Sequence, residues 1–68
     1  MRVLFENRYG ERREIGNVKT VDDAYRVINK FLNDHHFKSH YMRHWDEEGF
    51  TKVDVGSHSE FFLIDKEN

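Results

Sequence analysis

The stretch TVDDAYRVINKFLND, residues 20–34, decides the fold, because its pattern predicts a helix more clearly than any other segment of the chain. Its apolar side chains recur at spacings of three and four residues, which places them on one side of a 3.6-residue period. They are Val21, Ala24, Val27, Ile28, Phe31 and Leu32. Thr20 followed by Asp23 has the form of a capping box, whose oxygens accept hydrogen bonds from free amides. We therefore predict one helix that begins near Val21.

Length and composition predict one small domain, residues 1–68, with neither disulfides nor a thiolate metal site. The chain has 68 residues and no cysteine. A chain of this length buries only about 60% of the surface that its unfolded form exposes, so a second core does not fit. Six Phe, three Tyr and one Trp supply most of the core, since one aromatic side chain buries about 150–250 Å².

The distribution of apolar and charged residues predicts a cytoplasmic protein that does not enter a membrane. The sequence contains no apolar run of the length of a signal peptide or a membrane-spanning helix. The net charge is −2, with a mildly basic first half and an acidic second half. Because affinity for nucleic acid requires several phosphates to be neutralised, this balance disfavours general nucleic-acid binding.

Segments of alternating polarity on both sides of the helix predict five strands. Their expected ranges are residues 2–7, 11–18, 40–45, 50–55 and 60–65. Gly16 and Asn17 suggest a bulge or an early exit at the end of the second strand, and the four residues 46–49 are expected to form a turn. The fold class is thus α+β, with a single helix packed on an antiparallel sheet in the order ββαβββ.

The sequence also indicates where the helix ends and where the last strand lies. Residues 33–36 are expected to end the helix, with Asn33 suited to a left-handed cap. The last strand is apolar on both faces from Phe61 to Ile64, which is typical of a strand in the middle of a sheet or of one with a partner on its outer side.

The run VDVGSHSEFF, residues 53–62, follows a tryptophan-containing strand and a helix that ends in INKFL, residues 28–32. This arrangement resembles small uncharacterised proteins encoded by phages and prophages of Gram-positive bacteria. The likeness extends over most of the chain. That family has no assigned activity, so the resemblance implies a phage accessory protein that binds a host or phage protein, and it transfers no catalytic residue.

Two groups of residues have the composition of a reactive site, but their spacing favours structural roles. His36, His40 and His44 would have zinc-ligand spacing only if the helix continued; in a strand, His40 and His44 lie about 13 Å apart. The segment from Asp54 to Glu60 contains Ser57, His58 and Ser59, which are expected to form a tight turn rather than a catalytic triad. We predict no catalytic residue, no metal ligand and no cofactor.

The leading hypothesis is a non-enzymatic protein that acts through protein–protein contact or homodimerisation. One helix covers one face of the sheet, which leaves large side chains for the other face: Leu4, Tyr41 or Met42, Trp45, Phe50 and one residue pair of the last strand. The partner-binding candidates are Tyr41, Trp45, Phe50 and Phe61. Such groups mark a contact surface if exposed together, unless loops cover them or the sheet curls around them.

Two alternatives belong to other functional classes. In the first, Tyr41, Trp45 and Phe50 stack on the bases of a single-stranded nucleic acid while arginines contact its phosphates. These arginines are Arg8, Arg12, Arg13 and Arg43. The second, a metal-dependent enzyme, has the weakest support in the sequence.

Overall fold

The structure, a computed structural model, describes residues 1–36, 41–57 and 59–66, which form one helix and a five-stranded antiparallel sheet. The strands are β1 (Arg2–Glu6), β2 (Arg12–Asn17), β3 (Arg43–Glu47), β4 (Phe50–Asp54) and β5 (Phe61–Asp65), and the helix α1 is Val21–Asp34. All four strand pairs are antiparallel. The predicted α+β class and the order ββαβββ are confirmed.

Helix α1 begins and ends where the sequence predicts, but its C-terminal cap is different. The amide of Asp23 donates a 3.1 Å hydrogen bond to the hydroxyl of Thr20, which is the N-cap. The predicted left-handed cap at Asn33 is wrong, because Asn33 lies within the helix and His36 takes the left-handed conformation, with φ of 52°. Val21, which belongs to the apolar side of the helix, is 44% exposed at the first turn.

The strand order across the sheet is β2-β1-β5-β4-β3. The last strand therefore lies in the centre, which is one of the two positions that its apolar sequence allows, and joins the β1–β2 hairpin to the β3–β4 hairpin. Strands β2 and β3 form the two edges of the sheet. The chain between them contains α1, so the helix segment connects one edge of the sheet to the other.

A bulge in β2 lets the first hairpin approach the helix closely. Val3 pairs with Gly16 and Leu4 pairs with Glu14, which leaves Ile15 as the extra residue. Ile15 packs against the core beneath the helix. A Cβ atom at Gly16 would lie 2.9 Å from Cγ1 of Val27, so a glycine is needed where β2 contacts α1. The bulge predicted from Gly16 is thus present.

The core lies between α1 and one face of the sheet, with the helix packed on β1, β2 and β5. Its buried members are Val3, Ala24, Ile28, Leu32, Val53, Val55, Phe62 and Ile64. The ring of Phe31 on the helix lies 4.9 Å from that of Phe5 and 5.5 Å from that of Phe62, between centroids. These aromatic contacts join the helix to the neighbouring strands β1 and β5.

Strand β3 is shifted along the chain relative to the predicted range 40–45, since it begins only at Arg43. It continues to Glu47, and the turn that follows contains only Glu48 and Gly49, the latter with φ of 83°. The expected four-residue turn was wrong because Asp46 is held in the strand. Its carboxylate accepts hydrogen bonds from Thr51 Oγ1, at 2.7 Å, and from Lys66 Nζ, at 3.0 Å. His40, the predicted start of this strand, lies outside the described residues.

Candidate binding surface

The sheet face that is turned away from α1 contains the predicted partner-binding residues. Because side chains alternate along a strand, this face consists of every second residue of the strands. We call it the open face. Its members away from the β2 edge are Arg2, Leu4, Glu6, Phe61, Leu63, Asp65, Phe50, Lys52, Asp54, Arg43, Trp45 and Glu47. Leu4, Leu63, Lys52 and Trp45 form one row across it.

Tyr41, Trp45, Phe50 and Phe61 are brought together on this face. Trp45, Phe50 and Phe61 belong to its strands, and Tyr41 joins them because its hydroxyl lies 3.4 Å from Oδ2 of Asp54. Trp45 is 41% exposed and Tyr41 is 45% exposed, whereas Phe50 and Phe61 are half-buried. The exposed aromatic surface therefore lies at the β3 side of the open face.

The Asp54 carboxylate is the centre of a hydrogen-bond network on the part of this face nearest Tyr41. It is buried and accepts hydrogen bonds from the amide of Gly56, at 2.9 Å, and from Arg43 Nη2, at 3.0 Å. The Gly56 amide, followed by Arg43 and Tyr41, lowers the pKa of Asp54 although burial opposes the shift. The Arg43 guanidinium lies 5.0 Å from the centroid of the Tyr41 ring. Tyr41 and Arg43 are thus both held to β4 by a charged group.

The middle of the open face is covered by long cationic side chains. Lys52 Nζ lies 4.2 Å from the centroid of Phe61, and Arg12 extends over Phe50 with 5.6 Å between guanidinium and ring. Arg12 also donates a 2.9 Å hydrogen bond to Glu6. Leu63, at the centre of the face, is only 1% exposed. The expected uncovered apolar face is therefore restricted to the side of β3.

The four arginines proposed to contact nucleic acid do not converge on one surface. Arg12 and Arg43 lie on the open face, where Glu6 and Asp54 respectively neutralise them. Arg13 lies on the helix side, with its guanidinium 5.9 Å from the centroid of Phe31. Arg8 belongs to the exposed turn of the first hairpin. A continuous basic track beside the sheet aromatics is not formed by these four residues.

The turn before β5 has the geometry of a structural turn. Ser57 Oγ accepts hydrogen bonds from the amides of Ser59, at 3.4 Å, and Glu60, at 3.2 Å, and donates one to the Glu60 carboxylate. This hydroxyl caps the turn, as expected from the sequence. His58 lies outside the described residues. Across residues 1–36, 41–57 and 59–66, no cluster of three or more metal-ligating side chains occurs.

An open groove of about 600 Å³ lies at the tip of the first hairpin, beside the end of α1. It is lined by Phe5, Asn7, Glu11, Arg12, Arg13, Phe31, His35 and Glu60. The His35 ring stacks on that of Phe31 at 4.0 Å, and its Nδ1 lies 2.9 Å from the carbonyl oxygen of Phe31. Sequence reasoning missed this groove because its walls come from four separate segments, and its charges have both signs.

Within the part of the chain that the structure describes, no helix has the length and apolar character needed to cross a membrane. Comparisons of the chain with known protein families, with curated proteins and with solved structures gave no match.

Proposed function

We propose that this chain is a non-enzymatic protein that acts by binding another protein molecule through the β3 side of its open face. The contact residues are Tyr41 and Trp45, with Phe50 and Phe61 behind them. The proposal includes a role as an accessory protein of a phage or prophage, which the sequence resemblance implies.

The observation that supports this proposal is the exposure of large apolar side chains around one edge strand. Tyr41, Met42 and Trp45, all within five residues of one another, are 45%, 36% and 41% exposed. Tyrosine and tryptophan are enriched among the residues that contribute most to protein interfaces. The backbone edge of β3 is adjacent to these side chains, so the surface offers apolar contact and main-chain hydrogen bonds together.

Site-specific photocrosslinking in cells tests the proposal. A benzophenone amino acid in place of Trp45 is expected to give covalent adducts with protein, whether with another protein or with a second copy of the chain. The matched control is the same replacement at Tyr9, which is 79% exposed at the tip of the other hairpin and is expected to give none.

A second site, Tyr41, guards against loss of folding in the first variant. Absence of adducts from both Trp45 and Tyr41 would contradict the proposal. Equal adducts from Tyr9 would also contradict it, because crosslinking would then follow exposure alone.

A further inference from the structure

Strand β3 has a charge pattern that is complementary to itself in antiparallel orientation. Its sequence is Arg43-His44-Trp45-Asp46-Glu47, and every residue in it is exposed. If two copies of this strand are paired about Trp45, Arg43 faces Glu47 of the other copy and His44 faces Asp46. Arg43 and Glu47 carry opposite charges, and opposite charges that face each other across strands stabilise a sheet.

The backbone of β3 is oriented to make this pairing. Glu47 pairs with Phe50 across a two-residue turn, so this pair is hydrogen-bonded and the pairs alternate from there along the hairpin. Arg43, Trp45 and Glu47 thus direct their main-chain groups toward β4. His44 and Asp46 direct theirs toward the free edge of the sheet, where they would bond each other in the paired copies.

In the same register Trp45 forms a non-hydrogen-bonded pair with its own copy. Cα atoms in such pairs are only about 4.5 Å apart, which brings the side chains into their closest cross-strand contact. A two-fold axis through this pair keeps both open faces on one side of the extended sheet. Both indole rings then lie on that side, where each is 41% exposed in the single chain.

We infer that the occupant of this edge is a second copy of the chain, paired through β3 with antiparallel register centred on Trp45. This inference rests on the proposed function and names its partner. Charge complementarity, the outward main-chain groups of His44 and Asp46 and the exposed Trp45 all point to the same register. The opposite edge, β2, contains the bulge, and bulges hinder such pairing.

Sedimentation equilibrium of the purified chain provides the first test. An interface formed by one short strand is small, so we expect weak association that becomes evident between about 10 µM and 1 mM. At concentrations above the midpoint of the monomer–dimer transition, the far-ultraviolet circular dichroism should show the exciton couplet of two stacked indoles. A monomer throughout that range would overturn the inference, as would a dimer without the couplet.

Charge reversal tests the register. Glu47→Arg places two arginines opposite each other at both ends of the pair and should weaken self-association about tenfold. Arg43→Glu should have the same effect through opposed glutamates. An equimolar mixture of the two variants restores both opposite-charge pairs, so it should associate as well as the original chain. Failure of the mixture to recover association, with both variants folded, would overturn this register.

His44→Pro provides a second variant, because Arg43→Glu places a glutamate beside Asp54 and could reduce folding. Proline at this position removes an amide that faces the free edge and leaves the hydrogen bonds to β4 intact. We expect a folded monomer. A folded dimer of this variant would overturn the inference.

If Trp45 forms crosslinks only to other proteins, this inference fails while the proposed function stands. Absence of all crosslinks removes both.

Discussion

The β1–β2 hairpin and the β3–β4 hairpin lie on opposite sides of β5, and they are stabilised in different ways. The first packs beneath α1, with Val3 fully buried and Gly16 close against Val27. The outer strand of the second hairpin is β3, whose residues are all exposed. Strand β3 is joined to the rest of the sheet by main-chain pairing with β4 and by side-chain hydrogen bonds, from Arg43 to Asp54 and from Thr51 to Asp46. Apolar burial thus dominates one hairpin and polar contacts dominate the outer strand of the other.

Replacement of Phe62 by alanine should have the largest effect, because its side chain is fully buried and contacts the rings of Phe5 and Phe31. We expect the free energy of unfolding to fall by about 3–5 kcal/mol. In the matched variant Trp45→Ala, at the exposed strand, the expected fall is about 1 kcal/mol. Urea unfolding followed by circular dichroism measures both. Equal losses would show that β3 contributes to the core as much as β5 does.

Gly16→Ala should have an intermediate effect, because the added Cβ would lie 2.9 Å from the stiff side chain of Val27. We expect a loss of about 1–3 kcal/mol in the free energy of unfolding. Val27→Ala removes the obstructing methyl groups. The loss in the free energy of unfolding of the double variant should therefore be smaller than the sum of the two single losses. Strict additivity in thermal or urea unfolding would place the helix further from β2 than the structure does.

Asp54→Asn should have the smallest effect at neutral pH, below about 1 kcal/mol, because its partner Arg43 is largely exposed. The main effect of the substitution is on how the stability of the fold changes at acidic pH. The pKa of Asp54 is lowered in the folded chain, chiefly by the Gly56 amide and then by Arg43. Its contribution to stability is therefore fully present above the unfolded pKa, near 4, and is lost as the pH falls through the lower folded pKa.

The measurement is the stability of Asp54→Asn and of the original chain in urea between about pH 5 and pH 2. The difference between the two proteins should shrink as the pH falls. Glu48→Gln, at the exposed turn beside β3, is the control and should follow the original chain. A constant difference for Asp54→Asn would show that the carboxylate has no favoured charged state in the fold.

Local patterns in the sequence were sufficient to predict the helix, its N-cap and the faces of β1 and β4. Apolar periodicity and capping residues act within a few positions, so they can be read without a structure. The end of β3 was predicted wrongly because Asp46 is stabilised in the strand by Lys66, twenty residues further along the chain. Such a contact depends on the strand order, which alternation does not specify.

The candidate surface was only partly predictable. Alternation, a local property, separates Phe50 from Thr51 along β4, but it left the face of Phe61 open, and Tyr41 precedes β3. The covering of Phe61 by Lys52 depends on which strands are neighbours and how the sheet curls. The groove beside Phe31 was not foreseen for the same reason, since it is formed where the first hairpin meets the end of the helix.

The central position of β5 also determines the order in which the sheet is completed during translation. Both hairpins and α1 leave the ribosome before the strand that lies between them. Until β5 is synthesised, β1 and β4 each have an unpaired edge that can bind other nascent chains. Synthesis of the segment from Phe61 to Asp65 therefore ends the period in which this chain is most prone to misassembly.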